Sequence, residues 1–331
     1  AGARPVSSGP ARVVLLPSLR EGPELASIVS EFASPGPVAF ITAGWQEWEE
    51  DDQGLREALG RSVESENLRL YHRADRIWAE DLELARGHGE VQRKVRLLRR
   101  IYIYRLARAM DSWIQIQELD ADPDVVGPEQ SSALDAVRRL DGHHRKRLDE
   151  LRREFYDQFD PLMRPAVSRE RDQIAERLAR ASLVVVAGGH VPVLLNRIRL
   201  FGLDRLLDGK VVVALGGGAM ALAEQVVLFH DSPPWGPGHA EVGEVGQGLF
   251  PGVVALPGPS VRLRLDDPTR VSRMARRFDP AACLLLEAGT RVDWVDGGWH
   301  PVGARRLGES GAPERLEGWT MRTEGAWSSR N

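Results

Sequence analysis

Only one cysteine, Cys283, occurs in 331 residues, which excludes a disulfide scaffold. No run of about 18 apolar residues exists, so no membrane-spanning helix is predicted. The opening Ala1 to Pro10 lacks the basic-then-apolar order of a secretory signal. These absences predict a soluble, cytoplasmic protein. Lysine is scarce too: Lys94, Lys146 and Lys210 are the lysines among 44 basic residues. The arginines read as the mark of a GC-biased genome rather than of a function. They predict a surface laced with Arg–Glu and Arg–Asp pairs, each worth about 0–1 kcal/mol. A net charge of −4 offers no overall basic excess, so neither nucleic acid nor a membrane is expected as a partner. With 42% hydrophobic and 28% charged residues the chain is globular rather than disordered. Its length exceeds the usual single-domain size of about 100–150 residues.

The first stretch alternates short apolar runs with helical patterns. Strands are predicted at Arg12 to Pro17, Val38 to Thr42 and Leu68 to Tyr71, with helices over Glu24 to Ala33 and Gly54 to Val63. The alternation returns with helices 169–180, 193–201 and 219–229 around strands 183–187 and 211–215. Later strands are expected at 253–256, 283–287, 291–295 and 299–302, with Asp296-Gly-Gly298 as a hairpin turn. This order implies a mainly parallel sheet covered on both faces, an α/β fold of three layers. Between them, apolar residues recur at three- and four-residue spacing from Val91 to Trp113 and again from Val137 to Phe159, predicting two long amphipathic helices. The expected organisation is an α/β domain over 1–77 and 166–305, a helical insertion over 78–165, and a partly ordered tail over 306–331 holding the isolated Trp319 and Trp327. The insertion is expected to project as an antiparallel pair. Tyr102, Tyr104, Trp113 and Phe155 supply more aromatic surface than one hairpin seam needs, which predicts a homo-oligomer formed through this arm. The alternative is a lid folded onto Trp45 and Trp48.

The most informative segment is Val211-Val-Val-Ala-Leu-Gly-Gly-Gly-Ala-Met-Ala-Leu-Ala-Glu224. A buried strand running into glycines and a small-residue helix is the layout of a nucleophile elbow, whose sharp turn presents a serine or cysteine at the sheet's carboxyl edge. Here the chain resembles the peptidase E and cyanophycinase-like family of the class I glutamine amidotransferase-like superfamily. The family's elbow reads Gly-x-Ser-Ala-Gly-Ala, and Gly218-Ala-Met-Ala-Leu222 is similar to the residues after that serine. Val184-Val-Val-Ala-Gly-Gly-His190 resembles its strand ending in Gly-Gly. Glu287-Ala-Gly-Thr290 and the hairpin after it resemble its late strand and C-terminal hairpin.

The resemblance places the serine on Gly216, the following alanine on Gly217 and the next glycine on Gly218. An acid fifteen positions later falls on Asp231. The histidine, which precedes an Arg-x-Arg pair matched by Arg262 and Arg264, falls on Gly258, and no histidine lies between His239 and His300. Two of three triad positions therefore lack a reactive side chain, and oxyanion donors alone leave only residual catalysis. The resemblance implies a catalytically inactive homologue that acts as a ligand-sensing or protein-interaction module. Backbone amides around Gly188, Gly189, Gly217 and Gly218 would form an anion nest for a small carboxylate or peptide terminus. Two alternatives remain: a peptidase or amidohydrolase using displaced groups among Asp231, His230, His190 and Thr42, and an assembly protein dimerising through the helical arm.

Other constellations are weaker. The glycine triplet fails the Gly-x-Gly-x-x-Gly spacing of dinucleotide binding, and no cofactor is expected. His143 and His144 are adjacent on a helix and point about 100° apart, so no metal site is expected. His144 falls on the apolar seam and is predicted to be a satisfied interior histidine. Cys283 reads as inert strand packing. Trp45-Gln-Glu-Trp48 with Glu49-Glu-Asp-Asp52 sits at the carboxyl end of the second strand, where ligands bind in open parallel sheets. It reads either as the cap of a site, with Trp45 and Trp48 able to hold a cation, or as a solvated acidic turn before the next helix. His230 beside Asp231, with Trp235 and His239 downstream, is a remaining acid–base candidate.

Overall fold

The computed structural model describes residues 9–32, 34–231, 238–316, 319–321 and 327–329. The chain opens with β1 (Arg12–Leu16), α1 (Leu25–Phe32), β2 (Val38–Ile41), α2 (Gln53–Leu59) and β3 (Ser65–Asn67). Three helices come next, α3 (Leu70–Glu80), α4 (Leu82–Gln117) and α5 (Pro123–Phe159). The α/β alternation resumes with α6 (Pro165–Arg180), β4 (Leu183–Val186), α7 (Val191–Leu200), α8 (Leu203–Leu206), β5 (Val211–Leu215) and α9 (Gly217–Leu222). The C-terminal part runs β6 (Gln225–Leu228), β7 (Glu241–Val245), β8 (Val253–Pro257), α10 (Pro259–Arg262), α11 (Pro268–Phe278) and β9 (Ala282–Leu286). It closes with β10 (Arg291–Val295), β11 (Gly298–Val302), β12 (Arg305–Leu307) and β13 (Pro313–Arg315). Two short strands, 319–321 and 327–329, pair antiparallel beyond these. The side chains of Trp319 and Trp327 lie outside the described residues, as does Trp235.

The main sheet has seven strands in the order β11-β10-β1-β5-β4-β2-β3. The five from β1 to β3 are parallel, while β10 and β11 are antiparallel. Strand periodicity divides the core. Val14, Leu16, Phe40, Val185 and Val213 face α1 and α2 with Leu25, Ile28, Leu55 and Leu59. Val13, Ile41, Val184, Val186 and Ala214 face a larger core with Ile174, Leu194, Ile198 and Met220. Both faces are covered, which is why these strands read as continuous Val/Ile/Leu runs. The fold is a three-layer α/β sandwich with a long helical segment.

Several boundaries differ from the sequence expectation. The strand predicted at 68–71 lies at 65–67, and Leu70 already starts α3. The segment 219–229 is split: α9 ends at Leu222, and Gln225–Leu228 is a strand paired with β7. β-branched residues Val226 and Val227 favour that choice once a partner strand is available. Residues 305–307 and 313–315 are strands of a second sheet, β13-β12-β9-β8, with Leu307 and Leu316 buried. The hairpin turn at Asp296-Gly297 is present, with φ of 51° and 74°.

The insertion hairpin does not stand free. Arg99 bonds Glu241, Arg145 bonds Gln225 and Arg152 pairs with Glu244, fastening α4 and α5 to the β6–β7 ribbon. A buried network completes the attachment. Arg277 on α11 donates Nε and Nη2 to Asp141 at 2.8 Å each, and Nη2 to the Tyr102 hydroxyl at 3.0 Å. That hydroxyl donates to Asp141 at 2.7 Å and accepts the Val242 amide at 3.1 Å. Tyr102, Trp113 and Phe155 are buried within the chain, so the aromatic surplus expected to face another copy is absorbed here. Tyr104 alone of the four is exposed, at 67%.

Candidate functional site

Five carboxyl-terminal strand ends converge on one cleft of about 570 Å³. β1 delivers Ser18 and Arg20, β2 delivers Trp45 and Trp48, and β4 delivers Gly188 and Gly189. β5 delivers Gly217, and β8 delivers Gly258 with Arg262 just beyond. This is the crevice where open parallel sheets bind ligands.

Gly216 joins β5 to α9 with φ 51° and ψ −110°, a strained turn of the kind that lifts a nucleophile off a sheet edge and that glycine adopts without penalty. Its amide donates to the Leu16 carbonyl at 3.0 Å, tying the turn to β1. A Cβ there would lie 3.1 Å from both Cα and Cβ of Ser18. The space a nucleophile would leave from is thus bounded by the β1 loop. Ser18 is held: its amide and hydroxyl each donate to Glu21 Oε2 at 3.0 Å, a capping box on a single 3₁₀ turn, residues Leu19–Glu21.

The floor of the cleft is close-packed backbone. A Cβ on Gly44 would meet the Gly188 carbonyl oxygen at 2.3 Å, and one on Gly189 would meet the Gly44 carbonyl oxygen at 2.4 Å. The His190 amide donates to that same Gly44 oxygen at 2.7 Å. Gly44 was not singled out from the sequence; its place directly after β2, opposite Gly188-Gly189, was the available signal.

The acidic run after Trp48 is only half solvated: Glu50 and Asp51 are exposed, while Glu49 and Asp52 are buried. Glu49 is fully buried and accepts the Tyr71 and His72 amides at 2.9 and 3.0 Å, serving the first turn of α3. Burial raises its pKa against those two hydrogen bonds. Thr42 donates to the Glu49 carbonyl at 2.8 Å and accepts from Asn67, so its hydroxyl is committed to positioning this loop. Asp52 receives Arg56 and Asn67. Between the tryptophans, Gln46 has φ 60° and ψ −126°, a strained conformation for a residue with a Cβ. Trp48 is 72% exposed on the rim, while Trp45 packs on the α1–α2 core.

The remaining candidates go elsewhere. His190 caps α7, its Nδ1 accepting the Val193 amide at 3.3 Å. Asp231 lines a separate cavity of about 70 Å³ with His239, Arg264 and Arg270. Its carboxylate pairs with Arg270 and accepts the Arg264 amide at 3.1 Å. His230, beside it, lines neither cavity. Gly217 and Gly258 share the cleft, whereas Asp231 does not. His144 is buried and stacks on Tyr102 with centroids 4.1 Å apart, but both ring nitrogens lack hydrogen-bond partners among the described residues. It is not the satisfied histidine expected; burial lowers its pKa to about 4. Cys283 is buried, and its thiol is pushed up to about 12, as expected for inert packing. Among the described residues no cluster of three or more metal-ligating side chains occurs.

No protein-family model matches the chain, and no curated protein matches it. Among solved structures, it is similar to a peptidase from an acI-B1 Actinobacterium, at 14% identity and a TM-score of 0.45. The match covers 92% of this chain and 93% of that one. No helix among the described residues is long and apolar enough to cross a membrane.

Proposed function

We propose that the cleft binds a small anion, a carboxylate or a peptide carboxyl terminus, and does not hydrolyse it; the chain is then a non-catalytic relative of peptidase E and cyanophycinase. The observation that carries this reading is Gly216. It holds the strained backbone of a nucleophile elbow with no side chain, and Ser18 crowds the position where one would begin. Arg20 and Arg262 supply positive charge on two sides of the cleft and Trp48 supplies an exposed ring. Charge-assisted hydrogen bonds from arginine suit a carboxylate. The displaced-residue hydrolase is disfavoured because Thr42, His190 and Asp231 are each committed to other partners.

The test has two arms. A fluorophosphonate probe should leave the protein unlabelled, while calorimetry with short peptides bearing a free carboxyl terminus should show binding that Arg20→Glu/Arg262→Glu abolishes. Stoichiometric labelling of Ser18 or any other residue overturns the non-catalytic reading. Retained binding in the double variant overturns the assignment of the cleft.

A further inference from the structure

The insertion hairpin carries its charge in blocks. From Arg86 to Arg108 there are eight basic residues against Glu90 alone, whereas 109–137 holds seven acidic residues, Asp111 to Asp135, and no basic one. The first block is the stem of α4 and the second is its end, the turn and the start of α5. Stem residues Arg93, Lys94, Arg96, Arg100 and Arg105 are exposed and make no ion pair among the described residues. Asp120, in the turn, is likewise exposed and unpaired among them. A protein of net charge −4 has therefore segregated its charge along one rod.

An apolar stripe runs through both blocks. Leu97, Ile101 and Tyr104 are exposed at 50, 45 and 67%, and Leu119 at 58%. At 3.6 residues per turn, Leu97, Ile101, Tyr104, Arg108 and Gln115 fall on one face of α4, and Leu119 follows just past its end at Gln117. Monomeric proteins seldom leave so many large apolar side chains aligned in water.

We propose that this face is the contact between two copies of the chain, lying antiparallel with the basic stem of one on the acidic tip of the other. The segregation of basic residues over 86–108 from acidic residues over 109–137 supports the antiparallel arrangement. Antiparallel pairing sets the basic stem of each copy on the acidic end of the other, the self-complementarity an isologous contact requires. Parallel pairing would set like charges together. This goes beyond the cleft and rests on none of its residues.

Sedimentation equilibrium of the full chain decides it. In dilute salt the protein should be a dimer at about 10 μM, loosened by 0.5 M salt because exposed charges are screened there. Arg96→Glu/Arg105→Glu and Asp111→Arg/Asp120→Arg should each raise the dissociation constant at least tenfold, and an equimolar mixture of the two should restore the dimer. All four side chains lie at the surface of the rod, and circular dichroism checks that each variant folds. Should either fail, Leu97→Asp, with the same expected loss, replaces it. A wild-type monomer at 50 μM, or a dimer indifferent to both reversals, overturns the proposal. So does a monomer that instead sediments with phosphatidylserine vesicles or retards duplex DNA, which would give the stem to a polyanion.

Discussion

The cleft edge of the sheet and the buried joint under the insertion are built from opposite materials. At the cleft, glycines bring three loops to backbone contact, leaving a wide hollow rimmed by Arg20, Arg262 and Trp48. At the joint, Tyr102, Asp141 and Arg277 consume one another's hydrogen-bonding capacity behind a packed helix pair. A site that must receive something keeps donors and space available; a joint that must hold leaves neither. Changes at the joint should therefore cost stability and spare ligand binding, and changes to the cleft's charged rim should do the reverse.

The largest effect is expected at the joint. Arg277→Met leaves the Asp141 carboxylate buried without its cation, and breaking such a pair costs about 3–5 kcal/mol. Thermal denaturation should show a drop of many degrees, partly recovered in Arg277→Met/Asp141→Leu. An unchanged melting temperature would remove the joint from the comparison. Next comes Gly44→Ala, whose methyl would press on the Gly188 carbonyl at 2.3 Å. The expected cost is about 1–3 kcal/mol, and here the cleft floor itself should distort, so anion binding should weaken with stability. Loss of stability with binding intact would show that the floor is only scaffold.

His144 sharpens the comparison through pH. Its native pKa of about 4 lies below the ordinary 6.5, so the unfolded chain binds the extra proton first. Stability is full above about pH 6.5 and falls as pH drops towards 4, by on the order of 1–3 kcal/mol. In His144→Phe that part of the slope should vanish in denaturation curves at pH 7 and pH 5. An equal slope in both proteins would place the acid sensitivity elsewhere. The smallest effect is expected at the elbow. Gly216→Ser places a side chain at φ 51° against Ser18, for about 1 kcal/mol, and should gain no fluorophosphonate labelling because no base adjoins it. Labelling of that variant would show a proton acceptor already in reach.

Much of the sheet was legible because fully buried strands need β-branched runs on both faces, and Val13, Val185 and Val213 sit in such runs. The elbow turn was legible at Gly216 because its tail, Gly218 to Leu222, is a local pattern. Less local features were not. The split of 219–229 depends on β7, more than ten residues later. The commitment of Glu49 depends on α3 starting at Leu70 rather than later. Asp231 was paired with the elbow by interval counting, yet Arg270, from another helix, decides where its carboxylate goes.

By itself the sequence determined the alternation of strands and helices, the two-faced core and the long amphipathic pair, because each is a matter of hydrophobic period. Tertiary structure alone decided that three loops meet at Gly44, Gly188 and Gly217, that Ser18 crowds Gly216, and that Tyr102 and Trp113 turn inward. Those outcomes depend on which elements pack together, and the energy that selects the packing comes from residues far apart in the chain.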